Sequence, residues 1–437
     1  QINSIITLFS NGQIQEALDT VETLIKDYPN EPVLYNISGA CYASLGQLDT
    51  AVKNYEKSLT IKPNYAEAHN NLGGTLQELG QLDAAVKSYE KALTIKPDYP
   101  EAFNNLCSTL KELGQLDTTV KSYEQVLAIN PDFAEAHNNL GIARKELNQH
   151  DAAVKCFEQA LVIKPDFVEA QSNLADTLQD LGQLDAAVKI YKKALAINPD
   201  FAIAFNNLGL TLQKLGRLDE AVTCYEKALI IKPDFADACN NLGITLKNLG
   251  RLDEAVTCYE KALAIKPDYA EAQNNLGNVF MDLDHIDSAV KCFESAIEIK
   301  PNYAEAHNNL GNALTSLDQL DVAKKCYDRA VTLKPNYAEA HNNLGNALME
   351  LGQLDASIRR FEKALAINPD FAQAYQNYGN ALYNFKRFDK ALVSYENAID
   401  LKPDLNFLFG NLLHTKMRLG IWDDLPNRLN ELTKKIN

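Results

Sequence analysis

Twelve prolines fall at one interval. Pro29, Pro63, Pro97, Pro131, Pro165, Pro199, Pro233, Pro267, Pro301, Pro335, Pro369 and Pro403 each lie 34 residues after the last. Self-similarity at a fixed period is the mark of a stacked array. Each unit of such an array buries its apolar side against the next, so the chain offers an extended surface and not a sealed pocket. The 437 residues therefore read as one elongated array, although length alone would suggest about three globular domains.

Composition narrows the partners. A net charge of −16 gives no basic footprint of the kind nucleic acid needs. No apolar run reaches the roughly 18 residues needed to span a bilayer, so no membrane insertion is expected. No signal peptide is evident, and Gln1 leaves open whether a segment was removed before it. The eight cysteines look like small buried thiols of a reducing, cytoplasmic protein. Cys156, Cys224, Cys258, Cys292 and Cys326 share one phase of the repeat. Equivalent sites on stacked helices lie roughly 10 Å apart, too far for a disulfide. No CxxC pair or Cys/His cluster occurs, so neither a metal nor a cofactor is expected.

Residues 66–99 show how one unit is built. Ala66, His69, Leu72, Gly73, Leu76 and Leu79 form a stripe of helical period, and Gly80 is the stop. Asp83 caps or begins a second helix with Ala85, Tyr89, Ala92, Leu93 and Ile95 on its inner face. Pro97 ends it. Asn64 and Glu67 have the spacing of a capping box, as do Asp132/Glu135 and Asp166/Glu169. Glycine follows the first-helix leucine in nine of eleven full repeats, with Cys107 and Ala175 as exceptions. A mid-helix glycine costs about 0.5–1 kcal/mol against alanine, so a close contact must offset it. The aromatic of helix two, Tyr55 through Tyr395, is the expected knob.

These residues resemble the tetratricopeptide repeat family through the L-G pair, the A…Y/F…A run and the closing proline. The family's first tryptophan is replaced by Tyr35, His69, Phe103, His137 and Gln171. The resemblance implies an all-α solenoid, a right-handed superhelix whose first helices line a concave groove. Residues 1–31 are a near-complete repeat, 32–405 hold eleven full repeats, and 406–437 are a diverged cap or a junction to a further domain. In that last stretch Leu413 replaces glycine, and Leu425, Leu429 and Leu432 replace the small-aromatic-small set.

On a helical wheel, one position opposite the packing stripe keeps asparagine: Asn71, Asn105, Asn139, Asn173, Asn207, Asn241, Asn275, Asn309, Asn343, Asn377 and Asn411. Asparagine is a poor helix former, and eleven of them cost up to about 7 kcal/mol at about 0.7 each. A carboxamide matches a peptide bond in donors and acceptor, so the column suits an extended polypeptide gripped by its backbone. Two other readings stay open: the amides join neighbouring repeats, or duplication alone preserved them. Three residues on, the same face carries Ala40, Gly74, Ser108, Ile142, Asp176, Leu210 and Ile244, then Asn278, Asn312, Asn346 and Asn380. Ligand is expected to be held most firmly there, toward the C-terminal end. Lys111, Lys145 and Lys247 lie off this face and form no clamp for a chaperone tail.

Repeat 134–167 departs from the pattern. Arg144 stands for the core leucine, Asn148 for the turn glycine and His150 for the next leucine, and a looser stack is expected there. The remaining histidines come one per repeat on the packing side and cannot converge on a metal.

Residues 412–425, LLHTKMRLGIWDDL, are similar to the junction between repeats and catalytic domain in O-linked N-acetylglucosamine (O-GlcNAc) transferase-like glycosyltransferases. The asparagine column is also a feature of that family. The resemblance implies a region that receives polypeptide substrates, with the sugar-nucleotide domains lying outside this sequence. The alternative is a stand-alone scaffold or adaptor that assembles a protein complex. No nucleophile–base pair or phosphate loop occurs, so the chain itself is not expected to be an enzyme. Protein or peptide clients and a possible homodimer are the expected partners.

Overall fold

The computed structural model describes residues 2–405 and 407–421, and its regular elements there are all α-helices, twenty-five in number. The chain is an all-α solenoid of helix pairs. A first helix of 13 residues, such as Ala66–Glu78, alternates with a second of 14, such as Leu82–Ile95. Two packing units divide the chain, Gln1–Arg217 and Leu218–Asn437. Within each unit the helices pack in chain order, and most first helices also meet the first helix of an adjoining repeat. The first helices thus form a strip, and their exposed side is where the asparagine column lies.

The glycine expectation is met by geometry. A methyl group built on Gly73 would sit 2.6 Å from Tyr89 Cε1, and one on Gly345 would sit 2.6 Å from Phe361 Cε1. No side chain fits there unless the ring moves. The ring itself is fully buried in both cases. Glycine in this column is therefore the hole for the aromatic of its own repeat.

Turn glycines do a different job. Gly80 has φ +72°, and the backbone closes with Gln81 N–H donating to the Leu76 carbonyl at 2.8 Å, a Schellman ending. Asn148, Asp284, Asp318 and Lys386 take the same left-handed conformation with φ of 58–62°. Asparagine at 148 is therefore a mild change, as expected.

The capping boxes do not form. The first helices start one residue later than the boxes require, so the N-caps are Tyr65, Phe133 and Phe167, none with a side-chain cap bond. Asn64, Asp132 and Asp166 are left one position outside the helix. The aromatic N-cap instead lies under a lysine: Lys62 Nζ is 4.6 Å from the Tyr65 ring centre and Lys164 Nζ is 4.8 Å from that of Phe167, a cation–π contact. Glu135 accepts from Lys164 at 3.3 Å in place of the box. Asp83 lies in the first turn of its helix, whose N-cap is Gln81.

Histidines serve the backbone. The Nε2–H of His69, His137, His307 and His341 donates to the carbonyl of Pro63, Pro131, Pro301 and Pro335 at 2.9–3.1 Å. Gln171 makes the same bond to Pro165 at 2.8 Å, and Tyr35 reaches Pro29 at 3.1 Å. Polar residues at the family's tryptophan position thus tie these six helices to the proline turn before them. Burial lowers the pKa of His69, His307 and His341 below the ordinary value.

Repeat 134–167 closes like its neighbours. Phe157 fills the space above Gly141. Arg144 sends its guanidinium outward to Glu124 Oε1 at 2.7 Å, with Nη1 3.4 Å from Cys156 Sγ. The charged head leaves the core while the stem stays in it, which removes the expected reason for a loose stack. The cysteines are free thiols. Burial pushes the thiols of Cys41, Cys258, Cys292 and Cys326 up to about 11 and that of Cys107 to about 12.

Past the last full repeat, the helix Leu408–Arg418 buries Leu408, Leu412 and Leu413. Leu408 and Leu412 join the core formed by Leu382, Ala391, Tyr395 and Ala398. Trp422, Leu425, Leu429 and Leu432 lie outside the described residues.

Candidate functional site: the amide-lined strip

Each asparagine of the column is half-buried, except Asn377, which is buried. Their amides turn first to the neighbouring repeat. Nδ2 of Asn71, Asn105, Asn139 and Asn173 donates to Oδ1 of Asn36, Asn70, Asn104 and Asn138, at 3.0–3.4 Å. In the second unit Asn275, Asn309, Asn343 and Asn377 donate to Asn240, Asn274, Asn308 and Asn342, at 2.9–3.1 Å. The donor is always 35 residues after its acceptor, which is one repeat plus one residue. Asn241 occupies the same half-buried phase.

The acceptors are the asparagines just before the column, and they pass the chain on. Asn308 and Asn342 donate to Oδ1 of Asn309 and Asn343 at 3.4 and 3.3 Å. A continuous amide ladder therefore runs from Asn377 through Asn342, Asn343, Asn308 and Asn309 to Asn274. Of the readings open at the sequence level, joining of neighbouring repeats accounts for one N–H of most column amides. In Asn309 and Asn343 the Oδ1 is engaged as well, by the asparagine just before it.

Two departures are informative. Position 172 is serine and position 376 glutamine. There the next column residues turn to a different acceptor, three residues past the column: Asn207 donates to Asp176 Oδ1 and Asn411 to Asn380 Oδ1, both at 3.1 Å. Asn343 uses Asn312 Oδ1 as a second acceptor, also at 3.1 Å.

The later position, expected from sequence to hold ligand most firmly toward the C-terminal end, divides by the aromatic beside it. Tyr327 and Tyr395 donate their hydroxyls to Oδ1 of Asn312 and Asn380 at 2.8 and 2.9 Å, and Tyr191 donates to Asp176. Repeats with phenylalanine, Phe293 and Phe361, have no hydroxyl to give. Among the described residues, Asn278 and Asn346 accordingly make no side-chain hydrogen bond, and both are only half-buried.

The structure brings Asn312, Asn343, Asn346 and Asn377 around one open recess of about 400 Å³ in the second unit, with Tyr327 and Glu350 among its walls. In that recess Asn346 has its whole carboxamide unengaged and Asn312 keeps its Nδ2. Thr315, Met349 and Glu350, which also line it, were not identified from the sequence. The alternation of tyrosine and phenylalanine in helix two was the available signal.

The lysines beside this face are taken up in pairs. Lys111, Lys145 and Lys247 meet Glu146, Asp180 and Asp282 of the following repeat at 2.6, 3.0 and 3.2 Å. They have carboxylates of their own and frame the strip without crossing it.

Helix pairs of this length, a glycine socket for a tyrosine or phenylalanine and a proline turn define a tetratricopeptide repeat protein-interaction scaffold. Tetratricopeptide repeat models match residues 39–80, 66–99, 326–359, 345–385 and 372–405. The chain belongs to the family described as the cilia and flagella-associated protein 70 C-terminal domain, whose model matches residues 101–332, more than half of its length. A search of curated protein sequences finds no match. Among solved structures, the anaphase-promoting complex hetero-tetramer Cut9-Hcn1 contains a chain that is 15% identical, with a TM-score of 0.50, over 94% of this chain and 95% of that one. YrrB, a tetratricopeptide repeat protein with an unusual peptide-binding site, is 28% identical over 44% of this chain and 97% of its own, with a TM-score of 0.37. MamA is 28% identical over 37% of this chain and 95% of its own, with a TM-score of 0.35. None of these comparisons carries the glycosyltransferase resemblance.

Proposed function

We propose that this chain is a scaffold that receives an extended polypeptide on the strip of first helices, held at the recess around Asn346. The observation that supports it is the unengaged carboxamide of Asn346, beside the spare Nδ2 of Asn312, in a recess of about 400 Å³. One carboxamide offers two donors and an acceptor, the complement of a peptide unit, so the grip is on backbone and is largely indifferent to sequence. The ladder asparagines hold the strip in register beneath it. Within this reading, Asn312, Asn346 and Asn278 are the contact residues, and Asn309, Asn343 and Asn377 support them.

The finer reading, a substrate-receiving region of an O-GlcNAc transferase-like protein glycosyltransferase, rests on residues 412–425 and on the asparagine column. It ranks below the scaffold, because a ladder that joins repeats gives the column a purpose without any sugar transfer. Isothermal titration of extended peptides against the full chain tests the main reading. Asn312→Ala with Asn346→Ala is expected to weaken binding at least tenfold while the helical circular dichroism stays unchanged. Unchanged affinity would sink it.

A further inference from the structure

Asp176 does a job that asparagine does elsewhere in the same chain. Its Oδ1 accepts from the Tyr191 hydroxyl of its own repeat and from Asn207 Nδ2 of the next. Asn380 Oδ1 accepts from Tyr395 and Asn411, and Asn312 Oδ1 from Tyr327 and Asn343, at the same sequence offsets of 15 and 31 residues. The motif is the same three times, and twice it is built without a charge. The ladder therefore explains an acceptor at position 176, needed because Ser172 has no carbonyl to offer Asn207, but it does not explain a carboxylate.

The surplus is Oδ2. Where Asn312 and Asn380 carry a donor, Asp176 carries an acceptor with a negative charge. Oδ2 makes no hydrogen bond among the described residues, and it is absent from the atoms that are both sealed from solvent and unpartnered. It is therefore not fully sealed, on a residue that is half-buried. The position is otherwise uncharged in the first unit: Ala40, Gly74, Ser108, Ile142 and Leu210. Lys145 makes its ion pair with Asp180 at 3.0 Å and acts on Asp176 through space only, opposed by Asp180. Burial raises the carboxyl's pKa, against the lowering effects of Tyr191, Lys145 and Asn207, so an ionised Asp176 is a group that gains from a cation.

We infer that Asp176 is a cation-receiving subsite on the strip of the first unit, selecting a polypeptide that presents a lysine or arginine side chain to its free oxygen. This rests on the reading of the strip as a polypeptide-binding face and adds to it a preference that the backbone grip lacks. A partly desolvated carboxylate facing a guanidinium or ammonium forms a charge-assisted hydrogen bond of the stronger kind.

The test uses the full chain and two labelled extended peptides of one sequence, one with arginine and its twin with citrulline, read by fluorescence anisotropy. Asp176→Asn is the variant of choice, because Asn380 shows that asparagine keeps both inward bonds. The variant is expected to weaken the arginine peptide at least fivefold and leave the citrulline peptide unchanged. The arginine preference of the wild type should shrink as salt rises. Equal affinity of the variant and the wild type for the arginine peptide overturns the inference, as does equal loss for both peptides. Asn346→Ala separates this from the underlying reading. If it weakens both peptides while Asp176→Asn weakens neither, only the cation subsite falls. If neither peptide binds the wild type, both readings fall.

Discussion

The strip of the first unit and that of the second are built on the same ladder and present different chemistry. In both, the column asparagine reaches back to the preceding repeat, at an offset of 35 residues or, for Asn207 and Asn411, of 31. Three residues on, the first unit shows small or apolar residues and one carboxylate, and the second shows asparagine in four successive repeats. The position that is constant is the one that joins repeats. The position that varies joins repeats at Asp176, Asn312 and Asn380 and elsewhere leaves its groups over. Constancy along a repeat array therefore marks glue, and variation beside it marks what a partner would read.

The comparison takes the aromatic of helix two as pinned, so that only its hydroxyl differs between repeats. Gly345→Ala tests this most severely. The added methyl falls 2.6 Å from the Phe361 ring, and overpacking of this kind costs about 1–3 kcal/mol. Gly410→Ala, where nothing lies within 4 Å, is expected to be stabilising by about 0.5–1 kcal/mol. Urea denaturation of the two variants should move in opposite directions, and a neutral Gly345→Ala would mean the ring is free to shift.

Exchanging hydroxyls between repeats is the next largest effect. Tyr327→Phe removes the 2.8 Å bond to Asn312 and should cost about 1 kcal/mol, while leaving Asn312 Oδ1 with only the bond from Asn343. Phe361→Tyr should do the reverse, engaging Asn346 and weakening peptide binding. If binding in calorimetry follows neither change, the distinction between engaged and unengaged amides has no bearing on partners.

The smallest effect concerns the opposite side of the same helices, and serves as a control. His69, His307 and His341 have folded pKa values lowered by burial, below an unfolded value of about 6.5. A depressed histidine contributes stability above the unfolded value, and loses it as pH falls from there toward the folded one. Replacing all three with glutamine, which makes the equivalent bond at Gln171, should flatten the fall in stability below about pH 6.5 without changing peptide affinity at neutral pH. An unchanged slope in denaturant titrations at pH 7 and pH 5 would show that these rings do not titrate with unfolding.

Much of this was legible from the period alone. The proline interval, the glycine after the leucine and the aromatic of helix two led directly to helix pairs with a socket and a knob, because each is a local demand of packing. The column of asparagines was visible too, but its partners were not. A donor 35 residues from its acceptor is a fact about how repeats stack, and a helical wheel drawn for one helix cannot contain it. The capping boxes misled for a related reason. Asn64 and Glu67 have the right spacing, but Tyr65 stacked under Lys62 takes the cap position, and that contact does not show in a box motif. Arg144 looked like a defect because its charge was read at the core, while its length carries the charge out to Glu124.

The constant offset of the ladder also governs which changes of length the array tolerates. A donor at one repeat finds its acceptor one repeat and one residue earlier, whichever repeats those are. Excising residues 304–337 would bring Asn343 opposite Asn274 in place of Asn308, with no amide orphaned and no socket left unfilled. Shortening by a number that is not a multiple of 34 would strand the donor whose acceptor lies across the cut. The second unit is thus free to shrink or grow only in whole steps, and the gene that encodes it can lose or copy a repeat without having to invent a new interface.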